Sequence, residues 1–184
     1  MQHSEAQRIL DSWDRQGRYV YSVKDLSLLL SEKDATLKQT LKRFVESGLL
    51  QHVAQGTYLY SYSRHRGPYT IEAIAQSLRR REYNYVSYES ALSEYGIISQ
   101  IPLDRITLAT TGRKGEFQTP YGVIEFTHTM RSPLEIIKNT VARPPHLLRI
   151  ATADFALQNL KDSGRNLNMI DYEAWKDLRS WQEE

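Results

Sequence analysis

SVKDLSLLLSEKDATLKQTLKRFVESGLLQHVAQGTYLYSY, residues 22–62, is the stretch that decides the fold. Ser22 with Asp25 three residues on makes an N-cap and capping box, which predicts a helix from Val23 through Leu26, Leu29 and Leu30. Ser31-Glu32-Lys33-Asp34 interrupts it. A second helix follows, with Leu37, Leu41, Phe44 and Val45 spaced as one buried stripe, and Gly48 stops it. Leu49 to Val53 and Tyr58 to Tyr62 are short β-rich runs on either side of Gln55-Gly56, so a hairpin is expected after the helix pair. The pattern is that of a winged helix-turn-helix.

Side chains outside the stripe point to the partner. Lys38, Gln39, Thr40, Lys42 and Arg43, with Lys33 and Thr36 at the start of the helix, are types that contact phosphates and base edges in a major groove. Gln55 and Tyr58 of the hairpin, and Arg64 and Arg66 just beyond it, complete the expected DNA-contacting set. From Lys33 to Arg66 the local net charge is +4, whereas the whole chain carries +2, so the positive excess is concentrated on this surface. One such unit reads few base pairs, which implies double-stranded DNA with repeated half-sites, bound by a homodimer or by cooperating monomers.

The 184 residues allow two small domains, here expected as 1–66 and 67–184. With no cysteine, disulfides and thiolate chemistry are excluded, and the five histidines lack ligand spacing, so neither metal nor cofactor is expected. No apolar run approaches the roughly 18 residues of a membrane span, and the start of the chain lacks a signal-peptide pattern, so a cytoplasmic protein without membrane contact is expected.

Ser4 with Gln7 suggests a first helix carrying Ala6, Ile9, Leu10 and Trp13. Residues 63–69 have the polar, turn-rich composition of a linker, and Ile71 to Arg81 reads as a helix closed by Arg79-Arg80-Arg81 as a charge cap. Beyond it the spacing predicts a helix from Tyr88 to Tyr95, an extended passage from Ile97 to Leu103, and a strand over Arg105–Thr110. A hairpin of Phe117–Thr119 with Val123–His128 should complete a small antiparallel sheet. Ser132-Pro133 with Glu135 starts a short helix, and two more are expected over Ile150–Leu160 and Asp171–Trp181. The fold class is therefore α+β: a winged helix-turn-helix followed by a small α+β domain with an antiparallel sheet.

Several of these pieces together resemble the AbiEi-type antitoxins of bacterial type IV toxin–antitoxin (abortive infection) systems. They are Gly48-Leu49-Leu50 with Gly56-Thr57-Tyr58, then Tyr85-Val86-Ser87-Tyr88-Glu89-Ser90-Ala91-Leu92 and Tyr95-Gly96-Ile97-Ile98 with Ile101-Pro102. Ile106 to Arg113, Phe117 to Gly122 and Glu125-Phe126 follow in the same order and spacing. A last helix matches as Ala151 to Leu157, with Phe155 where that family usually has lysine. The resemblance covers roughly residues 5–160. It implies a DNA-binding autoregulator, a repressor of its own promoter through repeats. Its second domain would counter a nucleotidyltransferase-type toxin without stable contact.

Other readings stay open. The second domain is alternatively a protein-binding module that grips a toxin or another partner, for which Tyr83, Tyr85, Tyr88 and Tyr95 would supply exposed rings. The chain is also compatible with a general winged-helix transcriptional regulator of a mobile element. As an enzyme it offers little. Thr111-Gly112-Arg113-Lys114-Gly115 lacks P-loop spacing, although Arg113 and Lys114 are candidate anion or partner contacts. Asp104 and Glu125 follow a nuclease order, but Thr127 stands where such enzymes need lysine. No catalytic residues are expected.

Overall fold

The computed structural model describes residues 1–99 and 104–182. The extended passage expected through Ile101, Pro102 and Leu103, with the Ile101-Pro102 part of the family resemblance, lies outside them. The protein is α+β and divides into two compact units, Met1–Arg80 and Arg81–Glu184.

The first unit runs α1 (His3–Asp14), β1 (Val20–Ser22), α2 (Val23–Leu30), α3 (Asp34–Glu46), β2 (Leu50–Ala54), β3 (Thr57–Tyr60) and α4 (Thr70–Leu78). Its three strands form an antiparallel sheet in the order β1-β3-β2, an arrangement that a winged helix-turn-helix requires. The capping box forms as expected: the Ser22 hydroxyl accepts from the Asp25 backbone N–H at 3.1 Å, and the Asp25 carboxylate accepts from the Ser22 N–H at 2.9 Å. The Ser4 cap does not form. α1 begins two residues earlier than that cap implies, with Gln2 at its N-cap and no side-chain bond there.

Leu10, Leu26, Leu30, Phe44, Leu49, Leu50 and Leu59 are fully buried and make the core of this unit, each contributing about 1.5–3 kcal/mol by leaving water. Tyr60 is buried too, and its hydroxyl donates to Asp11 at 2.5 Å, which ties the hairpin to α1. Residues 63–69 are a connection inside this unit. Ser63 and Arg64 bind Asp14, the Gly67 N–H donates to the Thr70 hydroxyl at 2.9 Å, and α4 packs on β1 and β3 with Ala73, Ile74 and Ala75 buried. The division therefore falls after α4, because this helix carries apolar surface that the three-stranded sheet covers.

The second unit runs β4 (Asn84–Val86), α5 (Tyr88–Glu94), β5 (Arg105–Thr110), β6 (Gly115–Thr119), β7 (Gly122–His128), α6 (Pro133–Lys138), β8 (Thr140–Val141), β9 (Arg149–Ala151), α7 (Ala153–Ser163) and α8 (Tyr172–Gln182). A 3₁₀ turn over Leu167–Met169 separates the last two helices. The expected hairpin is present as β6–β7, but the sheet is larger than three strands and mixed, in the order β6-β7-β5-β4-β9-β8. β5 lies parallel to β7, and β4 parallel to β9. Residues 149–151 are strand rather than the first turn of a helix; α7 starts after them, capped by the Thr152 hydroxyl. α6 has the Ser132–Glu135 capping box and Pro133 in its first turn.

Candidate nucleic-acid interface

α3 buries Leu37, Thr40, Leu41 and Phe44, so the face opposite carries Ala35, Gln39, Lys42 and Glu46, with Lys38 beside them. Lys38, Gln39 and Lys42 are exposed, and so are Lys33 and Thr36 at the start of the helix. The Lys42 ammonium stands 3.8 Å from Glu46 across one turn. A pair this exposed contributes about 0.5 kcal/mol or less, and Lys42 can exchange it for a phosphate at small cost.

Two expected contacts are placed differently. Thr40 is 4% exposed on the inner face of α3, and Glu32, in the turn before this helix, takes the Met1 amino group at 2.5 Å. Buried there, Thr40 does not reach a groove. The sequence stripe placed Val45 inward and Thr40 outward; the reverse holds because Leu37, Thr40, Leu41 and Phe44 share one helical face, whereas Val45 lies at its edge and is 38% exposed. Arg43 lies back along the helix, donating to the Met1 carbonyl at 2.7 Å with its guanidinium over the Phe44 ring.

The hairpin turns at Gln55-Gly56, where Gly56 adopts φ +64°, a left-handed conformation that favours glycine. Gln55 is exposed at the tip. Tyr58 is half-buried and directly opposite His52, with the two rings 5.0 Å apart, so it packs the outer hairpin surface. Arg64 and Arg66 follow the end of β3 remote from the turn. Arg64 is 3.5 Å from Asp14, and Arg66 donates to the Ser61 carbonyl at 2.9 Å. Lys38, Gln39 and Lys42 thus remain as the polar face of α3.

In the second unit Arg113 and Lys114 are exposed on the connection from β5 to β6. The Gly112 N–H donates inward to the Thr110 hydroxyl at 3.1 Å, and the Gly112 carbonyl meets His128 Nδ1 at 2.7 Å, so the backbone there is committed within the fold rather than shaped as an anion cradle. Arg80, expected to cap a helix end, pairs with Asp25. Asp25 also holds Arg18 at 2.7 Å; burial raises its pKa, and the hydrogen bonds from Ser22 and Arg18 outweigh that and keep it below the ordinary aspartate value.

Sequence reasoning missed an ion cluster built around the buried Glu89. Arg165 binds Glu89 at 2.7 Å and also binds Glu125, while Asn166 donates to the other Glu89 oxygen at 2.7 Å. Arg105 bridges Glu125 at 2.7 Å and Glu116 at 2.6 Å. Both oxygens of Glu125 are thereby neutralised by guanidinium groups, an arrangement suited to holding β5, β7 and the segment after α7 together. Burial raises the Glu89 pKa, but Arg165 and Asn166 more than offset it, leaving the carboxyl below the usual glutamate value. Tyr88 adopts φ +55°, rare for a bulky residue, with its ring buried and the Arg165 guanidinium 5.2 Å above it. Of the four tyrosines expected on the surface, Tyr85 and Tyr88 are core residues and Tyr95 is half-buried; Tyr83 is exposed.

Among the described residues no group of three or more His, Asp or Glu side chains is placed to hold a metal ion, and no helix is long and apolar enough to cross a membrane.

No family model matches the chain, and no curated protein matches it. Among solved structures it is similar to the RV2827C protein from Mycobacterium tuberculosis, with 16% identity and a TM-score of 0.49 over 77% of this chain. The match spans 50% of that protein's length.

Proposed function

We propose that this chain is a DNA-binding transcriptional autoregulator and antitoxin of the type IV class. The observation that carries the DNA-binding half is the face of α3, where Lys38, Gln39 and Lys42 are exposed opposite a buried inner face of Leu37, Thr40, Leu41 and Phe44, on a helix that precedes an antiparallel hairpin. Lysine serves both phosphates and guanine edges, and glutamine pairs with adenine. Two copies on repeated half-sites supply the specificity that one unit lacks.

A gel shift with the duplex upstream of its own coding sequence tests this half. Lys38→Ala with Lys42→Ala should weaken binding and flatten its salt dependence by roughly two units of slope, about 0.9 for each phosphate contact removed. Unchanged affinity and slope in the folded double variant would overturn it. The antitoxin half rests on the resemblance of residues 85–126 and 151–157 to the AbiEi family. Co-expression with the product of the adjacent gene, a nucleotidyltransferase-type toxin under this reading, should restore growth without the two proteins co-purifying. Growth arrest that persists would refute it.

A further inference from the structure

We propose that the first unit reads DNA sequence through the major groove alone, its hairpin touching the duplex backbone without entering the minor groove. This deepens the DNA-binding reading above and rests on it. The first observation is the length of the hairpin. β1 pairs with β3 up to Ser22 opposite Thr57, and the next residue, Val23, donates its N–H to the Gly56 carbonyl at 3.0 Å. The turn is therefore level with the first residue of α2. A Cβ built on Gly56 would already stand 3.9 Å from the Val23 side chain. Gln55 and Gly56 alone join strands of five and four residues, so the hairpin is short.

The second observation is chemical. Minor-groove readers insert cationic or amide side chains, or apolar wedges, from a projecting arm or strand. From Leu49 to Ser63 the chain has no lysine or arginine; at the tip, Ala54-Gln55-Gly56-Thr57, Ala54 and Thr57 are buried, and the exposed amide of Gln55 sits on a turn level with the start of α2 rather than on a projecting arm. The arginines that follow, Arg64 and Arg66, lie past the opposite end of β3 and engage Asp14 and the Ser61 carbonyl. Base-reading donors of this unit are concentrated on α3, as Lys38, Gln39 and Lys42.

Base analogues separate the grooves without altering the protein. The full chain is titrated by fluorescence anisotropy against three forms of the upstream duplex: natural, with inosine for guanine, and with 7-deazapurines. Inosine removes only the minor-groove amino group, and 7-deazapurines remove the major-groove N7 acceptor. The inosine duplex should bind within about twofold of the natural one, and the 7-deaza duplex about tenfold or more weakly. Gln39→Ala should narrow the second difference. Equal affinity for all three duplexes, or a loss confined to the inosine form, would overturn the proposal while leaving DNA binding in place. Absence of binding to the natural duplex would remove the DNA-binding reading, and this inference with it.

Discussion

Adjacent residues on one helix, Gln39 and Thr40, look interchangeable as polar contacts and have opposite roles in the fold. Thr40→Ala removes packing from the buried inner face and should cost about 1 kcal/mol in urea unfolding, with DNA affinity of the folded protein unchanged. Gln39→Ala should leave stability within about 0.5 kcal/mol and weaken binding. Exchanged phenotypes would refute the orientation of α3. Glu89 supplies a pH-dependent test. Its pKa is depressed in the folded state, so its stabilisation is present above the unfolded value of about 4.3 and fades as pH falls through the folded value. Glu89→Gln should cost about 2 kcal/mol at pH 7, because it removes the charge from a part-buried pair with Arg165, and the gap from wild type should shrink in acid. A gap that stays constant down to about pH 3 would contradict the linkage.

At the scale of elements, helix starts are the most local signals, yet Ser4 and Ser22 show that a local signal still needs a matching backbone. Both serines have a polar partner three residues on, but only Ser22 sits at a helix boundary, where β1 delivers it in extended conformation at φ −78° and ψ 163°. Ser22→Ala should cost about 1 kcal/mol, and Ser4→Ala almost nothing, since Ser4 lies inside α1. Chemical denaturation of the two variants checks the contrast; equal losses would contradict it. The strands divide in the same way. β6 and β7 are long enough for a turn and an alternating pattern to announce them, whereas β1, β4, β8 and β9 have two or three residues each and carry no readable period. Their strand character comes from neighbours: β4 is held between β5 and β9, and β9 between β4 and β8.

For the whole molecule, the decisive quantity is where the apolar surface of α4 is covered. Ile74, Ala73 and Ala75 are buried in the unit that contains β1 and β3. A fragment of residues 1–80 should therefore unfold cooperatively, and one of residues 1–66 should be markedly less stable or fail to fold, because its sheet would lose the helix that covers it. Circular dichroism during heating distinguishes the two. Equal melting of both fragments would show α4 to be dispensable and return the boundary to residue 66.

The α+β class, the capped helix pair, the Gln55-Gly56 hairpin, the β6–β7 hairpin and the α6 capping box follow from the sequence alone, because each depends on residues three to a few positions apart. The exposed Lys38, Gln39 and Lys42 were legible for the same reason: helical periodicity sets them opposite Leu37 and Leu41. Tertiary structure alone decided the rest. The placement of α4 on β1 and β3, and the parallel pairs β5–β7 and β4–β9, depend on chain segments brought together from a distance. The Glu89–Arg165 pair joins residues 76 positions apart. A charge in the sequence does not name its partner at that range; the partner is chosen by which segments the core brings within a few ångströms, and buried charge is tolerated only where that happens.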